Sequence, residues 1–425
     1  MESIAIVGTG VAGLASGYFL RDKYDIIFYE KNDYAGGHTN TVSVQEDGET
    51  VYIDTGFMVY NEVTYPNLTR LFKELNVETK PTAMSFSVQH VPTGLEYRGT
   101  GLNHLFCQRR NIFNRPFIKM LLEIDRFSKI SGEVLTDEKY QDYTISQYAK
   151  EKNFGDDLLT KFLMPMGSAV WSMPHREMLD FPVVTLVRFF KNHGFLGLDT
   201  QHQWFTVVGG SRNYRDKILS HFKGKVFLNK PARRIFRQEG QVVIEDHAGT
   251  KKTFDKVIVA SHADEALSLL DNPTETEKNL LSKFFYQTNR ATLHTDSSVM
   301  PRLRRAWSSW NYRMDVGADQ KLHCTTIYDM NSLQQVSKKK NYFVSINDPD
   351  LVDPAKVLWK TEYTHPTYTL DAIKAQQQLK RLNTDGKIYF CGSYFRYGFH
   401  EDALTSSVEV VKALTGQYPL GYQGF

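Results

Sequence analysis

The chain has 425 residues, 41% hydrophobic and 23% charged, with 51 Lys and Arg against 48 Asp and Glu for a formal net charge of +3. That length exceeds one ordinary core and makes two domains the default, while the near balance of charge and the lack of an aromatic-basic motif exclude nucleic acid as the expected partner. No apolar run reaches the roughly eighteen residues of a membrane span, and the three cysteines, Cys107, Cys324 and Cys391, lack CxxC or zinc spacing, so a reducing, cytoplasmic setting and no metal site are expected.

Ile4 to Val7 is a short apolar run suited to a strand buried on both faces, and from its early place no signal or transit peptide is expected. Gly8, Gly10 and Gly13 follow at GxGxxG spacing. In a dinucleotide site Gly8 makes the tight turn, Gly10 lets the backbone approach a diphosphate, and Gly13 lets the helix pack close to the strand. The helix beginning at Val11 and Ala12 offers free N–H groups and a partial positive charge to that diphosphate. A second apolar strand, Asp25 to Tyr29, ends in Glu30, placed to accept hydrogen bonds from ribose hydroxyls, with Lys31 beside it. Strand, glycines, helix, strand and terminal acid predict a dinucleotide without separating NAD from FAD.

The continuation Gly36-Gly37-His38-Thr39-Asn40-Thr41 resembles the GG-Arg-x-x-T stretch of flavin-containing amine oxidases, phytoene desaturases and protoporphyrinogen oxidases, with histidine where those proteins have arginine. Tyr52 to Phe57 resembles that superfamily's Asp-x-Gly segment, which would bring Gly56 towards a flavin; the plain alternative is a strand end with a turn glycine. Asn67 to Leu75 has helical spacing, and Ser85 to Val91 reads as a strand on which the chain leaves the nucleotide domain.

Phe117, Met120, Leu121 and Ile124 form an apolar helical stripe, with Arg109, Arg110, Arg115 and Lys119 near its start. Two readings stand: a domain helix with a buried stripe and solvated cations, or a basic amphipathic patch that touches anionic lipid. Thr144 to Leu163 reads as helical. In the following Met164 to Pro174 stretch, Trp171 and Met173 are candidates for an apolar substrate wall or for plain core.

Trp204 to Ser211 resembles the superfamily's return to its FAD domain. Strands are predicted at Lys225 to Leu228, Ala232 to Phe236, Gln241 to Glu245 and Val257 to Ala260, and the resemblance puts Ala232 and Ala260 at the cofactor. The stretch from about Asp271 to Thr369, with Trp310 as a candidate wall residue, reads as strands of a substrate domain. Lys387 to Gly392 is a last buried strand and Glu401 to Leu414 a last helix. Between them the chain resembles the superfamily's second flavin-binding stretch, which assigns Gly392, Ser393, Glu401, Asp402 and Ala403 to the cofactor and Tyr397 to the substrate. Capping of the helix by Asp402 alone is the simpler reading of that residue. Cys391 reads as a small core residue, so FAD is expected to be held non-covalently.

Taken together, GGHTNTV, YIDTGFMVYNEVTYPN, LMPMGSAVWSMP, WSSWNY and YGFHEDALTSS make the chain similar to a bacterial, amine-oxidase-like NAD/FAD-binding branch associated with cyclopropane and branched fatty acid metabolism. The resemblance implies an α/β fold: a Rossmann-like FAD-binding domain of the two-dinucleotide-binding-domain flavoprotein type (residues 1–89, 204–270 and 376–425) and a mixed α+β substrate domain (90–203 and 271–375). It also implies a desaturase-like oxidoreductase moving hydride from an apolar substrate, a lipid acyl chain, to flavin N5. The alternatives are an amine oxidase gripping its substrate with Tyr394, Tyr397 and Trp310, a flavin-dependent double-bond isomerase, and a non-catalytic flavoprotein partner of a lipid-modifying enzyme. Among His38, His175, His262, His365 and His400, the last is the candidate base, because it precedes the helix expected to face the flavin.

Overall fold

The computed structural model describes residues 1–196, 201–317, 319–348, 350–384 and 386–425. Its centre is a five-stranded parallel sheet in the order Val226–Phe227, Asp25–Tyr29, Ser3–Val7, Lys256–Val259, Ile388–Phe390. In register, Ile6 lies opposite Phe28 on one side and Ile258 on the other, and Ile258 opposite Tyr389. Flanked on both sides, the first strand carries apolar residues at successive positions, and Ile4, Ala5 and Ile6 are fully buried. The helices Val11–Leu20 and His400–Thr415 pack against each other over this sheet.

A seven-stranded mixed sheet forms the second part, in the order Val357–Thr367, Phe285–His294, Phe343–Ile346, Leu322–Asp329, Trp310–Val316, Phe86–His90, Leu95–Arg98. Only the Trp310–Val316 and Phe86–His90 pair in it is parallel. In sequence its strands fall between members of the five-stranded sheet, Phe86–His90 and Leu95–Arg98 before Val226–Phe227 and the other five between Lys256–Val259 and Ile388–Phe390, so the polypeptide passes back and forth between the two sheets. Smaller sheets join Ala232–Gln238, Gln241–Asp246 and Lys251–Phe254, and Tyr60–Asn61, Trp204–Val207 and Thr79–Thr82.

Predicted strands and helices fall within a residue or two of the observed ones, with one exception. The helix expected over 144–163 stops at Glu151, turns through Asn153 at φ 53°, and resumes at Asp156. It then passes a π-helical turn, Leu159–Leu163, and continues through Pro165 to Trp171. Pro165 is tolerated because it sits in the first turn after the π-helical segment, where an intrahelical N–H bond is already lost.

Helix Arg115–Ile130 is capped by Asn114, which accepts from the Phe117 N–H at 3.3 Å. Phe117 and Met120 are buried against Val88, Tyr97 and Tyr312, while Leu121 and Ile124 are half-buried. Arg109, Arg110, Arg115 and Lys119 are exposed. No helix of the described residues is long and apolar enough to cross a membrane.

Candidate functional site: a cavity closed by both ends of the chain

A cavity of about 840 Å³ runs between the two sheets, and its lining draws on the first turn of the chain (Gly8, Gly10, Glu30) and on the last (Gly392, Ser393, His400). Gly8 sits at φ +104°, where a Cβ would stand 2.8 Å from the Ala260 carbonyl oxygen, and a Cβ on Gly13 would overlap the Gly8 carbonyl oxygen. These glycines let strand, turn and helix close on one another. Gly10 differs: no protein atom lies within 4 Å of a Cβ built there. Its backbone faces open space, at the start of a helix that no side chain caps.

Glu30 ends its strand at the same place. Its carboxylate accepts from the Thr9 N–H at 3.0 Å, the Thr9 hydroxyl at 2.5 Å and the Asn32 N–H at 3.0 Å. Thr9 was not singled out in the sequence, yet it fastens the glycine turn to the acid. Lys31 lines the cavity and pairs with Glu265 at 2.5 Å. Gly36 braces the turn from outside, donating its N–H to the Thr9 hydroxyl at 3.2 Å, and a Cβ on Gly37 would come 3.3 Å from the Gly10 Cα. Ala232, Ala260 and Gly56 also line the cavity.

Two of the residues assigned to the cofactor at the far end belong elsewhere. Glu401 accepts from the N–H groups of Asn67 and Leu68, both at 2.9 Å, and so caps helix Pro66–Glu74. Asp402 accepts from the Phe399 N–H at 2.9 Å and the Tyr397 N–H at 3.2 Å and caps its own helix. Neither lines the cavity, whereas Gly392, Ser393, His400 and Ala403 do. Burial pushes both carboxyls up to about 7. Thr39 is also behind the wall: its hydroxyl is buried between the Tyr214 hydroxyl and the His400 ring.

His400 stacks on Phe57 with ring centroids 3.9 Å apart, and its Nε2 lies 3.0 Å from the Tyr214 hydroxyl and 3.2 Å from that of Thr39. Burial lowers its pKa to about 3, so the ring stays neutral and is a poor proton acceptor near neutrality. The imidazole is fixed by two hydroxyls and one aromatic face. His175 is buried against Tyr312, away from the cavity.

The remaining histidines converge. His38, His262 and His365 all line the cavity; the His38 centroid lies 5.1 Å from that of His365 and 6.3 Å from that of His262, and His38 stacks on Tyr363 at 4.8 Å. Sequence separation hid this meeting, because the strand carrying Tyr363 and His365 belongs to the second sheet.

Of the candidate wall residues, Trp171, Trp310 and Tyr397 line the cavity, joined by Met84, Phe86, Met166 and Val170. Met173 does not: it is buried in the helical core. Its neighbour Ser172 adopts φ +52° and ends the helix, which turns the next side chain away. Trp171 donates its indole N–H to the Tyr397 carbonyl at 3.2 Å, fixing the wall to the loop before the last helix. Tyr394 lines the cavity as well: its ring packs against Phe284 and Phe395, and its hydroxyl is buried and unpartnered. Cys391 is buried with its sulfur 3.7 Å from the Ser16 hydroxyl, and burial pushes its thiol up to about 12.

A glycine turn with an open face at Gly10, an uncapped helix start, and a strand-end acid, joined by one cavity to a second strand–helix turn, define a site for an extended dinucleotide. Residues 11–415 match the family model of flavin-containing amine oxidoreductases. The chain belongs to that family. Its cofactor is FAD, and Gly10, Val11, Ala12, Glu30, Gly56, Gly392 and Ala403, which the sequence assigned to it, all line the cavity.

Solved structures share this fold. Cyclohexylamine oxidase from Brevibacterium oxydans IH-35A superposes with a TM-score of 0.69 at 15% identity, over 98% of this chain and 99% of that one. A putrescine oxidase bound to putrescine gives 0.66 at 15%, over 97% and 98%. A fatty acid isomerase from P. acnes that produces CLA gives 0.68 at 14%, over 97% and 98%. Among curated proteins, 15-cis-phytoene desaturase of Synechococcus elongatus is 37% identical over 78 residues, a match spanning 18% of this chain and 16% of that protein.

Proposed function

We propose that this FAD-dependent oxidoreductase acts on a C–H bond of an apolar substrate, a lipid acyl chain. The observation that carries the reading is the apolar wall of the cavity, beside which no buried, unpaired carboxylate stands among the described residues. Of the acids lining the cavity among the described residues, Glu30 is bonded to Thr9, Glu265 is paired with Lys31, and Glu362 is exposed on an edge strand. A cationic amine in the apolar wall of Met84, Phe86, Met166, Val170, Trp171 and Trp310 would lose hydration with no counter-charge. An alkyl chain gains from the same wall about 25 cal/mol for each Å² of apolar surface it buries.

FAD, when bound, supplies a two-electron hydride acceptor at N5 of its ring. The chain orients the substrate through the Trp171–Tyr397 bond, excludes water with methionine and aromatic side chains, and aims the start of helix His400–Thr415 at the cavity, where it favours negative charge. His400 is held in position by the Tyr214 and Thr39 hydroxyls and the Phe57 ring. The scarcity of a free base beside the apolar wall also supports a second reading, in which hydride returns to another carbon of the same chain and the reaction is a double-bond isomerisation.

The substrate reading extends to its source. Leu102, Ile112, Phe113 and Leu122 are exposed among Arg109, Arg110, Arg115 and Lys119. The inner face of this segment, Phe117 and Met120, packs in the cluster that includes Phe86 and Trp310 of the cavity wall. Apolar side chains ringed by cations suit an anionic lipid surface.

The test is anaerobic mixing of the yellow holoprotein with long-chain unsaturated fatty acids or their esters, and separately with polyamines and aromatic amines. Bleaching of the flavin absorbance by the lipids supports the proposal, and in a parallel aerobic incubation product formed without oxygen uptake selects isomerisation. Bleaching by amines alone overturns it.

A further inference from the structure

The cofactor's diphosphate carries two negative charges into a cavity that offers almost no fixed positive charge. Among the described lining residues Lys31 is the only Lys or Arg, and Glu265 already neutralises it. Arg215 stands behind Gly36, donating to the Ala35 carbonyl and paired with Asp216, and does not reach the lining. The chain meets the diphosphate with backbone N–H groups at Gly10 to Ala12 and with histidines.

We propose that His38 binds the FAD diphosphate as an imidazolium, so that cofactor binding takes up a proton. This rests on the assignment of FAD to the cavity. The place suits this role: a Cβ on Gly37 would come 3.3 Å from the Gly10 Cα, and His38 follows Gly37 directly and lines the same cavity as Gly10. Ala260, which packs against Gly8, brings Ser261 and His262 to the same point from the central strand. His38 Nε2 is buried and has no hydrogen-bond partner, an orphan that calls for a ligand.

The surroundings set the direction. Facing His38 are Tyr363 and His365 from the edge strand of the second sheet, His262 from the start of helix Ala263–Leu269, and His400 from the last helix. Burial first, and then the neighbouring histidines, hold His38 well below its ordinary pKa in the free protein. A diphosphate beside the ring favours the charged form, so binding raises the pKa and a proton enters with the cofactor. Only one ring of the cluster needs to charge, because each imidazolium opposes the next. An arginine in this place would give the same contact at every pH.

The experiment measures FAD affinity for the apoprotein by flavin fluorescence from pH 5.5 to 8.5, and proton uptake by titration calorimetry in two buffers of different ionisation enthalpy. ADP-ribose serves as a second probe, carrying the same diphosphate diester without the flavin ring. Wild type should bind FAD and ADP-ribose less tightly as pH rises, by up to about tenfold per pH unit for one linked proton, levelling off above the pKa reached in the complex. His38→Arg should bind at least as tightly with a flat profile and no proton uptake, and His38→Asn weakly and flat. A flat wild-type profile, or a wild-type slope retained in both variants, overturns the proposal. So does a slope lost in His262→Asn or His365→Asn but kept in His38→Asn. Failure of wild type to bind FAD at any pH would instead overturn the cofactor assignment itself.

Discussion

Ser407 donates its hydroxyl to the Ala12 carbonyl at 2.6 Å, joining residues 395 positions apart in the chain. The bond ties the helix that begins at the phosphate turn to the helix that begins at the ring end, so both halves of the cofactor site move as one piece. Ser16, one turn further along, donates to the same carbonyl at 2.9 Å. Small side chains at this crossing let the helices approach closely enough for the strand ends beneath them to share a cavity. Ser407→Ala should cost about 1 kcal/mol in urea unfolding, the value of one buried neutral hydrogen bond, while leaving FAD bound. Ser407→Phe should force the helices apart and lower stability and FAD content together.

Titration of the last helix gives a second expectation. Burial lifts Glu401 from 4.5 to about 7, with the Asn67 and Leu68 N–H groups pulling the other way. The native state then binds a proton that the unfolded chain has released between those values, so this group's contribution to stability falls as pH rises from about 4.5 to about 7 and is level above. Unfolding of wild type and Glu401→Gln across that range should show the wild type losing ground to the variant with rising pH. A constant difference would contradict the assignment.

Val170 lines the cavity from helix Met164–Trp171, in which Trp171 is anchored to Tyr397. Val170→Phe should shorten the space for an alkyl chain and leave the phosphate turn untouched. Turnover of long acyl substrates should fall at least tenfold, with FAD content unchanged and short substrates less affected. Equal loss for all lengths would argue against an extended apolar substrate.

For the exposed basic and apolar segment, cosedimentation with vesicles gives the check. Wild type should bind vesicles rich in anionic lipid and lose them with added salt, since exposed charges are screened over about 10 Å at 0.1 M. Phe113→Ser with Leu122→Ser should weaken that binding without changing FAD content. Binding indifferent to both changes would remove the segment from the lipid-delivery reading.

Much of the fold was legible because local signals agreed with it. Apolar runs at Ile4 to Val7 and Val257 to Ala260 read as central strands, and the glycine spacing fixed the turn between strand and helix. Side-chain direction was less legible. Glu401 and Asp402 stand at a helix start that faces the cavity, yet each turns to bond a backbone N–H, a choice set by helix Pro66–Glu74 and by the Tyr397 to Phe399 turn. Met173 turned into the core because Ser172 takes a left-handed conformation. The meeting of His38 with His262 and His365 needed the second sheet to lay its edge strand across the first, which no local pattern encodes.

The central claim is that the glycine turn and the last helix together hold FAD, and Gly10→Ala tests it most directly. At φ −62° the position accepts alanine without strain, and the added methyl meets no protein atom within 4 Å, so the fold should persist. It enters only the space meant for the diphosphate. Measuring FAD released per folded chain should give close to one for wild type and little or none for Gly10→Ala at equal thermal stability of the apoproteins. A variant that keeps its full complement of FAD, or a wild type that carries none and takes up none, would contradict the account.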